Sequence, residues 1–160
     1  MDSVKALLLL FTLFGCYETS PWNVSYLEGG DSSRVSCLTR DKVNGVGVEM
    51  VYAKNSLRTY LEVHSQSIPP YRGNEQEALV ILKTATQVIR TVASRHAGGQ
   101  RLLLPSDSQQ ILIDNLLEGE SVTIELQGYR QTLSPDHFSN KFSKIKKIPL
   151  NIPIQLPFKL

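Results

Sequence analysis

The sequence predicts a mainly β protein of the α+β class, an antiparallel β-sandwich-like domain with two short helices near its C-terminus. One observation behind this prediction is the period-two alternation of apolar and polar residues, as in Val46, Val48 and Met50. Another is the change to helical spacing and helix-cap residues after Pro105. The 160 residues, net charge of +2 and 41% hydrophobic content are typical of one globular domain and do not indicate a nucleic-acid-binding protein.

Strands account for most of the first two thirds of the domain. The polar residues 53–56 predict a hairpin turn, and the two prolines in 68–74 predict a loop. A helix is the alternative for the strand that follows Glu77, because the residues before it favour helix. The strands predicted here are residues 46–50, 57–63, 78–84, 87–94 and 101–105.

The C-terminal third combines a helix with a hairpin. Ser106 and Gln109 have the spacing of a capping box, and a helix over 108–117 is expected to end at Gly119. Apolar and polar residues then alternate before Gly128, and a second strand-like run follows it, which predicts a hairpin over 122–133.

A second short helix is predicted after this hairpin. Ser134 is its expected N-cap, with Pro135 at the first helical position. The lysines within 141–147 are expected to interact with the negative C-terminal end of this helix dipole. The alternative is that these lysines contact anionic lipid. Its expected apolar stripe is Phe138, Phe142 and Ile145.

Residues 1–15 have the features of a signal peptide. Their apolar run, 6–14, is too short to span a bilayer but has the length of a signal-peptide core. Leu13-Phe14-Gly15-Cys16 resembles the lipobox of bacterial lipoproteins. That resemblance implies that the Cys16 thiol receives a diacylglyceryl group and that Cys16 becomes the first residue of the mature chain. The alternative is an ordinary secretory signal cut nearby, with Cys16 incidental or removed.

The lipidated cysteine is expected to begin a flexible tether over 16–32, which is polar and contains Pro21 and a pair of glycines. Trp22 and Tyr26 are expected either to pin this tether to the domain or to lie among lipid headgroups. The globular domain is predicted to cover 33–147.

Cys37 is predicted to be a small buried residue, since it lies in an apolar strand-like stretch. Lipidation of Cys16 would leave it as a free thiol. The alternative is a disulfide between Cys16 and Cys37 in a soluble secreted protein.

The order of elements in residues 111–145 resembles the C-terminal half of the invasion-associated locus B family of exported bacterial proteins. The resemblance implies a β-sandwich-like exported domain without enzymatic activity, which acts by contact. This domain departs from that family in having one cysteine instead of a pair. The matching positions are Leu116, Gly119, Val122, Ser134 and Phe138.

Residues 148–160 form a proline-rich extended tail. Prolines recur every four residues, so a helix is excluded and only an edge or bulged strand is compatible. Apolar side chains occupy every second position and would share one face. This face is expected either to pack along the domain or to dock on a partner as an added strand. The candidate partner-binding residues are Ile148, Leu150, Ile152, Ile154, Leu156 and Phe158.

No catalytic, cofactor-binding or metal-binding residue is predicted. His64, His96 and His137 stand in no recognised metal or nucleophile motif. Ser134, Asp136 and His137 contain the letters of a catalytic triad, but neighbours on one turn do not face one another.

These observations predict a membrane-anchored lipoprotein that acts in the cell envelope as a non-catalytic structural or protein-binding module. An Asp directly after the lipidated cysteine resembles an inner-membrane retention signal, but this chain has Tyr17 at that position. The difference favours the outer membrane. The alternatives are a soluble secreted interaction protein and an envelope enzyme whose site the sequence does not reveal. A protein partner is expected, with membrane contact through the N-terminal lipid.

Overall fold

The computed structural model describes residues 20–26, 32–39, 41 and 43–145. The predicted fold class is confirmed, because these residues form a mainly antiparallel β structure with two short helices in the C-terminal half. Cys16 and the tail 148–160 lie outside the described residues. The elements are β1 (Trp22–Tyr26), β2 (Ser32–Cys37), β3 (Gly47–Ala53), β4 (Ser56–Glu62), β5 (Glu77–Lys83), β6 (Val88–Arg95), β7 (Arg101–Leu103), α1 (Ser106–Leu117), β8 (Val122–Leu126), β9 (Tyr129–Leu133) and α2 (Phe138–Ile145).

The nine described strands belong to one sheet with the order β1-β2-β3-β4-β7-β6-β5-β8-β9. The short strand β7 pairs with β4 on one side and with Ser94 and Arg95 of β6 on the other. It therefore joins four strands, β1 to β4, to four others, β6, β5, β8 and β9. Buried side chains of both groups belong to one core cluster, as expected for a sandwich-like domain.

The period-two pattern correctly places the core. Alternate residues of β5 and β8 are buried, among them Leu82 and Ile124, and β5 is a strand and not the alternative helix. Helix α1 contacts both β4 and β8, so it connects the two groups of strands. Its Leu112 and Leu116 are buried between them, and full burial of such a side chain stabilises the fold by about 1.5–3 kcal/mol.

The structure corrects the predicted tether over 16–32. Residues 22–26 form β1, which pairs with β2 along its whole length. The Trp22 side chain is fully buried, its indole nitrogen donates to the Ser134 carbonyl at 2.8 Å, and its ring centroid lies 4.7 Å from that of Phe138. The alternative that Trp22 pins this segment to the domain is therefore correct, and the folded domain begins before residue 33.

The capping box predicted for α1 is wrong. Pro105 is the N-cap, and no side chain caps the helix. The Gln109 side chain instead donates to the Leu57 carbonyl in β4 at 3.2 Å. The predicted end is correct, because Gly119 adopts a left-handed φ of +87° directly after the cap residue Glu118.

The start predicted for α2 is also wrong by several residues. The helix begins at Phe138, and residues 135–138 form a turn closed by the Phe138 amide on the Pro135 carbonyl at 2.9 Å. Ser134 caps this turn instead of a helix, accepting from the Asp136 amide at 3.2 Å. The predicted apolar stripe of α2 is confirmed, since all three of its residues are buried.

Candidate functional site

An apolar groove lies beside the loop that follows β4. We call it the Pro69 groove; it has a volume of about 460 Å³ and is lined by Pro69, Pro70, Tyr71, Leu79, Ile81 and Gln127, among others. A second recess of about 610 Å³ shares Pro69, Pro70 and Gln127 with it. The two adjoin, so the prolines form a wall with accessible space on both sides.

Tyr129 fastens this wall to the β8–β9 hairpin. Its hydroxyl donates to the Gln66 carbonyl at 2.7 Å, accepts from the Gln66 amide at 2.8 Å, and lies 3.0 Å from the Ser65 hydroxyl. Because the phenol is nearly buried, these bonds are protected from competing water. The loop is thereby held in one position.

Arg95 fastens the other end of the same loop. Its side chain is 12% exposed and donates to the Ile68 carbonyl at 2.7 Å and to the Glu75 carbonyl at 3.0 Å. It also forms an ion pair with the Glu75 carboxylate at 3.2 Å. Ile68 itself is buried in the core, so the residues before Pro69 are held by packing as well as by hydrogen bonds.

The groove has the chemistry of a binding surface. Its lining combines aliphatic and proline side chains with the polar side chains of Arg72, Glu125 and Gln127. The Arg72 guanidinium lies 5.1 Å from the centre of the Tyr71 ring, which holds the two side chains together. No histidine or cysteine lines this groove, and its one carboxylate, Glu125, is paired with Lys83 at 2.8 Å.

A ladder of charges crosses the outer face of β2, β3, β4 and β7. Glu49 bridges Arg34 and Arg101 at 2.7 Å each, and Arg101 also contacts Glu62 at 2.6 Å. The Arg101 guanidinium lies 4.1 Å from the centre of the Tyr60 ring. Each of these charges has an opposite partner, so the ladder is explained by cross-strand stabilisation of the sheet.

The structure does not assemble the histidines into a site. His96 lines a shallow recess with Glu75 and Arg95, and neither His64 nor His137 lines that recess. The His96 ring lies edge-on to Tyr60 with centroids 5.8 Å apart. Within the described ranges, no three His, Cys, Asp or Glu side chains are close enough together to hold a metal ion.

The triad-like letters near α2 form a local turn. The Ser134 hydroxyl donates to the Asp136 carboxylate at 2.5 Å while accepting the amide of the same residue. These contacts give Ser134 a structural part in the turn that precedes α2.

Cys37 is buried, as predicted, and its thiol is free in the structure. Burial raises the pKa of its thiol to about 11, which disfavours the nucleophilic thiolate. The predicted lipidation site Cys16 and the tail residues Ile148 to Phe158 lie outside the described residues and stay predictions.

Comparison with known proteins gives no relative for this chain: no family model, no curated protein and no solved structure matches it. Among the described helices, none has the length and apolar character needed to span a bilayer.

The Pro69 groove was not predicted from the sequence. The only local signal was the pair of prolines, which predicted a loop but not its neighbours. Gln127, on the opposite wall, and Tyr129, which fixes the loop, are both more than fifty residues further along the chain.

Proposed function

We propose that this chain is an exported bacterial lipoprotein, anchored to a membrane through Cys16, that works in the cell envelope by binding another protein without catalysis. The observation that carries the proposal is the Pro69 groove, an apolar surface held rigid by Tyr129 and Arg95. A rigid apolar groove binds well because little conformational entropy is lost when the ligand arrives.

An extended protein segment is the ligand that fits this groove best. A volume of about 460 Å³ accommodates a few apolar side chains and is within the ordinary range for a binding pocket. Tyr71 and the two prolines offer flat apolar contacts, and the polar side chains of Arg72 and Glu125 can pair with backbone or charged groups of the segment.

The membrane anchor rests on the sequence around Cys16. A signal-peptide core followed by Leu13-Phe14-Gly15-Cys16 supports export and lipidation, with the outer membrane as the favoured destination. An acyl anchor also suits a contact function, because confinement to a surface raises the local concentration of partners on the same surface.

The anchor is tested by the intact mass of the N-terminal peptide of the mature protein, isolated from a bacterial envelope. We expect a peptide that begins at Cys16 and carries acyl chains, and we expect the Cys16→Ser chain to lack it. An unmodified N-terminus at another residue would refute the anchor and favour the soluble secreted alternative, with the disulfide to Cys37 again open.

The groove is tested by photocrosslinking in cells with a photoreactive amino acid at Arg72. The same amino acid at the exposed residue Ser121, which lines none of the recesses described above, is the matched control. We expect a discrete crosslinked protein from position 72 that is lost when Leu79→Glu places a charge in the groove. Equal crosslinking from both positions would rule out the groove as the binding surface. Turnover of a substrate by the purified protein would instead favour the enzyme alternative.

A further inference from the structure

Among the residues that the structure describes, strand β6 has an open edge along most of its length. All of it from Val88 to Ser94 pairs with β5, but on the other side only Ser94 and Arg95 pair with β7. Among the described residues, the edge of β6 from Val88 to Ala93 has no strand partner on that side. Strand β7 ends after three residues and therefore leaves the edge of β6 from Val88 to Ala93 uncovered; we call the space between this edge and the first half of β4 the opening.

The backbone groups that face this opening can be identified. The Arg95 amide donates to the Gln76 carbonyl on the β5 side, whereas the His96 amide donates to the Arg101 carbonyl on the β7 side. Because successive amides of a strand point to opposite edges, the amides of Val88, Arg90 and Val92 face the opening. An open edge of β-branched residues is a ready template for a further strand.

The core is also incomplete beside this edge. Ile89 and Thr91 face inward from β6 but are only half-buried, although their cross-strand neighbours Leu82 and Val80 are fully buried. A neighbouring strand on the far side of β6 is what would complete their burial.

On the opposite side of the opening, two carbonyls of β4 already have hydrogen-bond donors. The Thr59 carbonyl of β4 accepts from the Leu104 amide at 2.9 Å, and the Leu57 carbonyl accepts from the Gln109 side chain at 3.2 Å. These two carbonyls of β4 therefore have donors, whereas among the described residues the edge of β6 from Val88 to Ala93 has no strand partner on that side.

In an extended conformation, the two edges of the tail 148–160 would differ in their backbone amides. Its three prolines, Pro149, Pro153 and Pro157, all occupy odd positions, so in an extended chain their missing amides lie on one edge. The even positions keep every amide and carry all the large apolar side chains, from Ile148 to Leu160. Such a strand can pair through one edge only, which is what an edge-capping strand requires.

We propose that residues 152–156 of this same chain pair with the open edge of β6, parallel to it, beside Val88 to Val92, since β7 occupies that edge from Ser94 onward. The parallel direction follows from the geometry of the amides. Val88, Arg90 and Val92 point their side chains outward, and antiparallel pairing would put the apolar tail residues on the same outer face. Parallel pairing turns those apolar side chains inward, beside Ile89 and Thr91.

The tail is long enough to reach β6 within one molecule. Helix α2 ends at Ile145, whose carbonyl accepts from the buried Ser33 hydroxyl of β2 at 2.9 Å. Ser33 pairs with Tyr52, and Tyr52 with Leu57, so this row leads across the sheet to the opening. Through β7, Leu57 is level with Thr91 of β6, so the chain must also run back about three residues, roughly 10 Å, to reach the level of Val88. Three strand spacings of about 14 Å and this displacement combine to about 17 Å, and six extended residues, 146–151, span about 20 Å.

The path also explains two partly buried side chains. Tyr52 and Leu57 pack against the core but are not covered by it. A chain crossing from Ile145 to the opening passes over both of them, and its residues Ile148 and Leu150 would supply apolar cover. This proposal concerns the tail alone and does not depend on the Pro69 groove or on the membrane anchor.

Two proline substitutions in the full-length chain test the proposal. Ile154→Pro removes an amide from the edge that we assign to β6, whereas Gln155→Pro removes one from the edge that already carries the natural prolines. We expect Ile154→Pro to accelerate amide hydrogen exchange of Val88, Arg90 and Val92 by at least about tenfold, with Gln155→Pro close to wild type. The amides of β3 serve as internal reference in both variants.

Removal of 148–160 provides a second variant, because it should expose the same three amides whatever the register of pairing. Exchange at Val88, Arg90 and Val92 that is unchanged by both Ile154→Pro and the truncation would overturn the proposal. Protection that is lost in a protein shown by light scattering to be a dimer would also overturn it, because the tail of a second copy would then fill the opening. Protection lost equally in the Ile154→Pro and Gln155→Pro variants would refute the assigned edge.

Discussion

Replacement of Trp22 by alanine tests the attachment of β1 to the domain. The side chain is fully buried, and truncation of a buried tryptophan to alanine costs about 3–5 kcal/mol. The change also leaves the Ser134 carbonyl without its indole donor and removes the ring contact with Phe138, which is worth about 0.5–1.5 kcal/mol. These contributions overlap, so we expect the free energy of unfolding to fall by about 4 kcal/mol in total.

The assay is urea denaturation followed by far-ultraviolet circular dichroism, since Trp22 is the only tryptophan and its fluorescence is lost in the variant. Trp22→Phe keeps most of the apolar contact but loses the hydrogen bond, and we expect it to cost about 1–2 kcal/mol. Tyr26→Ala is the matched control, because Tyr26 is on the same strand and 61% exposed. A cost below about 1 kcal/mol for Trp22→Ala would refute our account and return this segment to the tether first predicted.

Three further measurements address the loop, the thiol and one ion pair. Tyr129→Phe should lower the free energy of unfolding by about 1–3 kcal/mol, because the Gln66 amide and carbonyl lose their buried partner; an unchanged urea midpoint would contradict this. At pH 8 only about one thousandth of Cys37 is thiolate, so alkylation should be slow and accelerate towards pH 11; rapid alkylation of the folded protein at pH 8 would contradict the burial. The hydrogen bond from Lys83 lowers the pKa of Glu125, so its contribution to stability is present above the unfolded pKa of about 4.3 and lost as pH falls through the folded value. The Lys83→Met chain should lose that part of the acid dependence of its urea midpoint, and an identical pH profile would show that the pair contributes nothing.

Much of the fold follows from local patterns in the sequence. Alternation predicts the inward faces of β3, β4 and β8, because burial on one side of a strand imposes a period of two on side-chain polarity. Left-handed glycine at residue 119 likewise ends α1 where predicted. These features are determined by residues close together in the chain, so a local sequence pattern is enough to predict them.

The errors arise where distant residues determine the structure. Strand β1 looks polar, and what fixes it is the bond from Trp22 to a carbonyl 112 residues away. Gln109 has the spacing of a capping residue, but the Leu57 carbonyl, 52 residues earlier, accepts its hydrogen bond instead. The Pro69 groove also depends on residues distant in the chain, since its two walls come together only when the sheet has formed. Local propensity does not contain this information.

The position of β1 also narrows the proposed function. A tether over 16–32 would have allowed the domain to move about 60 Å from a lipidated Cys16, at roughly 3.5 Å per extended residue. With Trp22 buried in the core, the connection is the six residue steps from Cys16 to Trp22, which span about 20 Å at most. A domain held this closely cannot search across the envelope. If Cys16 is the anchor, as we propose, the partner is expected at the surface of the same membrane, and crosslinked proteins from the groove should include components of that membrane.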